Sequence, residues 1–391
     1  EVLRSGWLTT GPNVAEFEEA FAGYVGARHA VAVSSGTAAL HLALLAAGVA
    51  PGDGVLTTPL TFPATTEAAL YCGARPVFAD VDPRTLNLDP AAAEQVLARD
   101  RERRRIRAIV PVHYGGQPCA MEKILHLARR FDLAVIEDAA HALPAWRRMP
   151  AEEAPASAPA HLAAPPRTEE WRKVGSIGDF TAFSFYATKP LTTGEGGMIT
   201  TESGEAAELL RSLRLHGLSG DAWKRYRSEG SWRYDVARTG YKYNLPDILA
   251  AIGIEQLRRA DALAAERRRL AAVYQNALSP LEDRLEVPRE DGASGHAWHL
   301  FPIRVRPPAD RDLIIEGLRA SGIGASVHFI PVHLHSFYAT TYGYARGDYP
   351  IAESAADSLI SLPLYPGLTE DDVGNVATAL RDCLEENASE R

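Results

Sequence analysis

The chain has 391 residues, 46% of them apolar and 23% charged, with a formal net charge of −9. That is an ordinary globular composition, long enough for two or three domains, and no run reaches the roughly 18 uncharged apolar residues of a membrane span. The acidic balance argues against nucleic-acid binding. The three cysteines (Cys72, Cys119 and Cys383) are too few and too far apart for a disulfide framework or a thiolate metal cluster, as expected of a cytoplasmic protein. The chain opens at Glu1 without Met, and the expectation is that an N-terminal piece precedes it.

Seven short apolar runs follow one another with helical patterns between them. They are Ala30–Val33, Gly54–Thr58, Pro76–Ala79, Ala108–Val112, Leu133–Ile136, Phe180–Phe183 and Met198–Thr201. Most are apolar on both faces, as strands buried between two helix layers must be, so a mostly parallel sheet in an α/β domain is predicted. The basic run Arg99–Arg107 is mixed with acids and reads as a solvated face. Met149–Arg167 holds five Pro and seven Ala in 19 residues. It reads as a surface insertion without regular structure, spanning about 146–173 with its flanks. Asn244-Leu-Pro-Asp-Ile is expected to open a long helix, with Asn244 as its cap and Ile248, Ile252, Leu257 and Leu263 on its apolar face. From about residue 290 the character turns α+β. A strand is predicted over 296–304, a helix over 310–321 and a last helix after Thr369. The domains are expected to be 1–255 and 256–391.

Three stretches could carry chemistry. Ser34-Ser-Gly-Thr-Ala-Ala-Leu40 follows a strand and opens a helix, so first-turn N–H groups with the Ser35 and Thr37 hydroxyls could hold a phosphate, while Gly36 permits close backbone approach. Alone, the stretch reads more readily as a capped helix start. Leu133-Ala-Val-Ile-Glu-Asp-Ala-Ala-His141 ends a buried strand in two carboxylates, of which Asp138 falls where α/β sheets bind ligands. Adjacent residues point to opposite faces, so Glu137 and Asp138 should not share a task. In Phe183-Ser-Phe-Tyr-Ala-Thr-Lys189, a lysine sits among aromatic residues before a Thr/Gly loop. Desolvation would favour its neutral amine, which can attack a carbonyl to form a Schiff base. A phosphate site, a carboxylate for a protonated ring nitrogen and an amine for an aldehyde together suit pyridoxal 5′-phosphate (PLP), and Phe62 could stack on its ring.

These motifs, with Ser5-Gly-Trp-Leu-Thr-Thr-Gly11, Thr193-Gly-Glu-Gly-Gly197, Gly240-Tyr-Lys-Tyr-Asn244, Val327-His-Phe-Ile-Pro-Val-His333 and Ser361-Leu-Pro-Leu364, resemble the DegT/DnrJ/StrS sugar aminotransferases over nearly the whole chain. The resemblance implies PLP fold type I, with a large domain built on a mostly parallel seven-stranded sheet and a smaller C-terminal α+β domain. It also implies a homodimer with shared active sites, and amination of a keto group on a nucleotide-linked sugar with an amino acid, usually L-glutamate, as donor. By motif position, Lys189 resembles the Schiff-base lysine and Asp138 the pyridinium partner. His141 matches the contact to the phenolic oxygen, Gly36, Thr37 and Ser184 the phosphate contacts, and Phe62 the stacking ring. Asn244 resembles a residue that reaches the partner subunit's cofactor. The Gly-Tyr-Lys-Tyr-Asn form, His216-Gly217, Trp223-Lys-Arg-Tyr226 and the segment 327–333 look most like enzymes acting at C4, making His216, His328 and His333 candidate substrate contacts. Pro190 departs from the family's frequent Asn. A related PLP-dependent sugar dehydratase would carry His in place of Lys189, and a non-catalytic PLP-binding relative is the other alternative.

Overall fold

The computed structural model describes residues 1–100, 105–150, 169–218 and 235–389. Its strands are β1 (His29–Val33), β2 (Gly54–Thr57), β3 (Arg75–Phe78), β4 (Ile106–Ile109), β5 (Ala134–Asp138), β6 (Trp146–Pro150), β7 (Glu169–Lys173), β8 (Phe180–Ser184), β9 (Gly197–Thr201), β10 (Leu285–Glu286), β11 (Ser294–Gly295), β12 (Phe301–Val305) and β13 (Leu359–Leu362). The main sheet has seven strands in the order β1-β9-β8-β5-β4-β2-β3. Each adjacent pair from β8 to β3 is parallel, whereas β9 runs antiparallel to both β1 and β8. All seven apolar runs of the sequence lie in this sheet.

Alternation along each strand feeds two separate cores. Val31 and Val33 pack on one face with Leu40, Leu42 and Leu44 of the helix Gly36–Ala46. Ala30 and Ala32 face the other way, toward Phe17, Phe21, Phe183 and Phe185. Those four phenylalanines interlock at centroid distances of 5.0–6.0 Å. Truncating any one to Ala would cost about 3–5 kcal/mol. Register into β5 is set by a turn in which Asp132 takes a left-handed conformation (φ 57°) and its N–H bonds Ala128 O.

A third apolar cluster lies between Leu270 and Leu384. It joins the helix Ala260–Leu278 to the antiparallel sheet β10-β12-β13 and to the helices Arg311–Ala320 and Glu370–Ser389. Asp310 caps the first of those two helices by accepting from the N–H groups of Asp312 and Leu313. Among the described residues, no helix is long and apolar enough to cross a membrane.

Four sequence expectations need correction. Asn244 is not a helix cap: its amide is held by Thr10 and Thr9, and the helix starts at Asp247, whose carboxylate accepts from the N–H groups of Gly11, Asn13 and Val14. That helix ends at Arg258 and a second begins at Ala260, so one long helix is in fact two. The strand expected over 296–304 begins only at Phe301, because the N–H groups of Ala297, His299 and Leu300 bond the carbonyls of Gly115 and Gly116 and Trp298 takes a positive φ of 51°. The flanks of the Ala/Pro-rich stretch are not irregular either: β6 and β7 pair antiparallel, with Met149 buried, while 151–168 lies outside the described residues.

Candidate active site

Asp138 ends β5 at the carboxyl edge of the sheet. Burial pushes its carboxyl upward, opposed by hydrogen bonds from Thr65 and the Ala140 N–H and by the charge of Lys189. Thr65 Oγ1 donates to Asp138 Oδ2 at 2.7 Å and lies 2.7 Å from Thr61 Oγ1. Because the one Thr65 proton goes to the carboxylate, Thr61 is the donor in that second bond. The relay fixes the acid's orientation. Glu137, one residue earlier, points through the other face of the sheet.

Lys189 follows β8, in a turn closed by its N–H on Tyr186 O. Burial lowers its pKa to about 8, with Asp138 pulling the other way. Near neutrality about a tenth of the amine is therefore unprotonated, far more than in an ordinary lysine. Lys189 opens into a cleft of about 720 Å³ shared with His299, Ser326, His328, Ser361 and Arg267. His328 is oriented at both ends: Nδ1 lies 2.9 Å from Ser361 Oγ, and its carbonyl accepts from the Tyr114 hydroxyl.

The strand-to-helix turn after β1 builds an anion cradle. Ser35 Oγ accepts from Ala38 N–H at 3.0 Å, so this hydroxyl is spent on capping. Among the described residues, the N–H groups of Gly36 and Thr37 bond no protein acceptor, and they retain the helix's positive end. A Cβ on Gly36 would lie 2.8 Å from Ser184 Cβ, and one on Gly197 would lie 2.4 Å from Ser35 O. Only glycine allows this approach, which brings Ser184 beside the helix start.

His141 is buried, and its ring lies between His299, at 4.4 Å between centroids, and Phe329, stacked at 5.9 Å. Burial first, and the charge of Lys189 second, hold His141 and His299 well below the usual histidine range, so both rings are neutral. The Nδ1 atoms of both are buried without a partner. Phe62 is 60% exposed and sits 6.0 Å from Phe329.

Of the sequence candidates, Lys189 and His328 line the cleft, and the others, Asp138, His141 and Phe62 included, do not. Asn244 holds Thr10 and Lys242 within its own chain. His216 is exposed, in a left-handed turn paired with Tyr241. His333 is fully buried with Nε2 2.9 Å from Glu353, a structural role. Residues 223–226 lie outside the described residues. Sequence reasoning missed Thr65 and His299. A hydroxyl four residues from Thr61 was the available signal for Thr65; none pointed to His299.

The residues fit PLP. A buried acid with no cation in hydrogen-bond contact, a desolvated amine, an imidazole nitrogen without a partner and a cradle closed to any side chain match ring nitrogen, aldehyde, phenolic oxygen and phosphate. With the sheet order, they define a fold type I PLP enzyme. Residues 1–381 match the DegT/DnrJ/EryC1/StrS aminotransferase family. The chain is 46% identical over 388 residues to the spore coat polysaccharide biosynthesis protein SpsC of Bacillus subtilis, covering 98% of this chain and 92% of that one. Helicobacter pylori PseC, an aminotransferase involved in the biosynthesis of pseudoaminic acid, is similar at a TM-score of 0.83 and 28% identity, over 98% of this chain and 94% of that one. The PLP form of Spr1654 from Streptococcus pneumoniae matches with the same four values. The chain belongs to the DegT/DnrJ/EryC1/StrS family, and it is an aminotransferase whose cofactor is PLP.

Proposed function

We propose that this enzyme moves an amino group from L-glutamate to the C4 keto group of a nucleotide-linked sugar. The observation that carries the reading is the desolvated Lys189 amine, which shares electrostatics with buried Asp138 and opens into the cleft that holds His328. The names of SpsC and PseC support a saccharide acceptor, and the sequence form of segments 240–244 and 327–333 supports C4.

When bound, PLP supplies an electron sink for the bonding pair released at the donor's Cα. Asp138, oriented by Thr65, keeps the ring nitrogen protonated. Gly36 and Thr37 N–H groups with Ser184 anchor the phosphate, His141 serves the phenolic oxygen, and Phe62 covers the ring face. Lys189 would hold the cofactor's aldehyde through Nζ. Freed from that role, its neutral Nζ is the base that takes the proton from the donor's Cα, and in the sugar half-reaction the protonated Nζ is the acid that supplies a proton to the sugar carbon being aminated. His328, held by Ser361, faces the sugar. The working unit is a homodimer in which Asn244 lies toward the partner's site.

Glutamate alone should bleach the visible band of the holoenzyme. A panel of nucleotide-linked 4-keto and 3-keto sugars, followed by mass spectrometry for replacement of ketone by amine, then identifies the acceptor. No bleaching with any amino acid would refute the transaminase reading; amination of only 3-keto sugars would refute C4.

A further inference from the structure

The cleft at Lys189 is electrostatically one-sided. Lys189, Arg259 and Arg267 line it, and among the described residues no Asp or Glu does. Arg259 is exposed at its mouth, whereas Arg267, from the helix Ala260–Leu278, is only 5% exposed.

Among the described residues, the other two buried arginines each meet an acid. Arg147 pairs with Glu122 and Asp291, and Arg214 with Glu18. Such pairing offsets the cost of taking a cation out of water. Arg267 lacks it. Its Nη1 donates to Leu364 O at 2.9 Å and Trp298 O at 3.3 Å, which fixes the guanidinium between two neutral carbonyls. Its Nε is buried with no acceptor, and Nη2 makes no hydrogen bond among the described residues. Nε and Nη2 form the edge that grips a carboxylate through two parallel bonds, and this edge is left unused beside the cleft. Burial lowers the pKa of Arg267 to about 10, so it stays cationic at neutral pH.

We propose that Arg267 binds the α-carboxylate of the amino-acid donor. This rests on the aminotransferase reading above and assigns its donor subsite. The chemistry of the two substrates separates them. In an amino acid the carboxylate is bonded directly to the carbon whose proton Lys189 removes, so its anion must lie deep, near the lysine. In a nucleotide-linked sugar the diphosphate hangs from the anomeric carbon, across the ring from C4, so its charge lies farther out. A buried cation that shares His299 as a neighbour with Lys189 suits the first. The two carbonyls keep the guanidinium in place during the sugar half-reaction, when no carboxylate is bound.

The test uses holoenzyme variants Arg267→Lys and Arg267→Met. Spectral titration with L-glutamate should show about 10- to 100-fold weaker apparent binding in Arg267→Met, the size of a lost charge-assisted contact, and a smaller loss in Arg267→Lys. The KM for the nucleotide sugar at saturating glutamate should change less than about twofold. Unchanged glutamate binding, or an equal loss in the sugar half-reaction, overturns the assignment and in the second case gives Arg267 to the sugar's phosphates. Should Arg267→Met fail to fold, calorimetry with glutarate, a dicarboxylate without the amine, decides: glutarate must bind wild type and bind Arg267→Lys more weakly, and equal binding to both overturns the assignment. A wild type that binds glutarate through Arg267 yet never bleaches with an amino acid sinks the transaminase reading alone.

Discussion

Glu137 and Asp138 are neighbours on one strand, both buried, and they differ in how completely the protein serves them. Glu137 accepts from Gly178 N–H and Thr181 Oγ1, each at 2.8 Å, and from His113 Nε2 at 3.0 Å. His113 in turn is held at Nδ1 by the Cys119 N–H, which orients its Nε2 toward the acid. Asp138 has one hydroxyl, a longer 3.2 Å contact from the Ala140 N–H, and a lysine sensed through space. Burial is common to both. Incomplete hydrogen bonding marks the acid reserved for a ligand, and completed hydrogen bonding marks the one that holds β5 to β8 and to the segment around His113.

Substitutions can break this contrast. The largest effect is expected from Lys189→Ala, which removes amine and base together: turnover should fall by about 10⁴-fold or more, and the visible band should vanish. A coloured, active variant contradicts the assignment. Asp138→Asn keeps the shape but not the charge and should lower kcat by about 10²–10³-fold, with little change in melting temperature. Glu137→Gln should do the reverse, costing about 1.5–3 kcal/mol in stability through the bonds of a charged acceptor, while the folded fraction retains kcat. If the two variants exchanged phenotypes, the division of labour between the acids would be refuted. Thr65→Val frees the Asp138 carboxylate at one oxygen and should reduce kcat by about 10-fold or less, a positioning effect that Thr65→Ser restores.

The smallest effect is in pH. Below about pH 8 the Lys189 amine is mostly protonated, so the rate at which apoprotein captures added PLP should climb about tenfold per pH unit and level off near 8. A break near 10.5, the ordinary lysine value, would show that the amine is not desolvated. The same shift makes the unfolded state bind more protons between about pH 8 and 10.5, so this group contributes stability that grows as pH rises through that window.

Much of the sheet was legible because strands buried on both faces must be apolar throughout, and Lys189 and Asp138 stood out because charge at the end of such a run needs a reason. What stayed hidden depends on contacts between distant segments. His299 looked like one more residue of a strand until the carbonyls of Gly115 and Gly116 bent its segment against His141. Asn244 had the form of a helix cap, but Asp247 took the N–H groups of the 11–14 turn and moved the start. Arg267 sits in the run Glu266-Arg-Arg-Arg269, where only its helical spacing from Ala264, Leu270 and Ala271 separates it from the exposed Arg268 and Arg269.

The left-handed turn at Asp132 has a consequence for how this chain can change. It sets which carboxyl group meets which side of the sheet, since side chains alternate with every residue of β5. Loss of a single codon between positions 131 and 134, with the preceding helix held fixed, would turn every side chain of β5 to the opposite face, bringing Asp138 against His113 and leaving Ala139 in the place Asp138 now holds. Substitutions at this corner are tolerable in many forms; indels are not, and the reading frame of the strand is as much a part of the active site as the lysine.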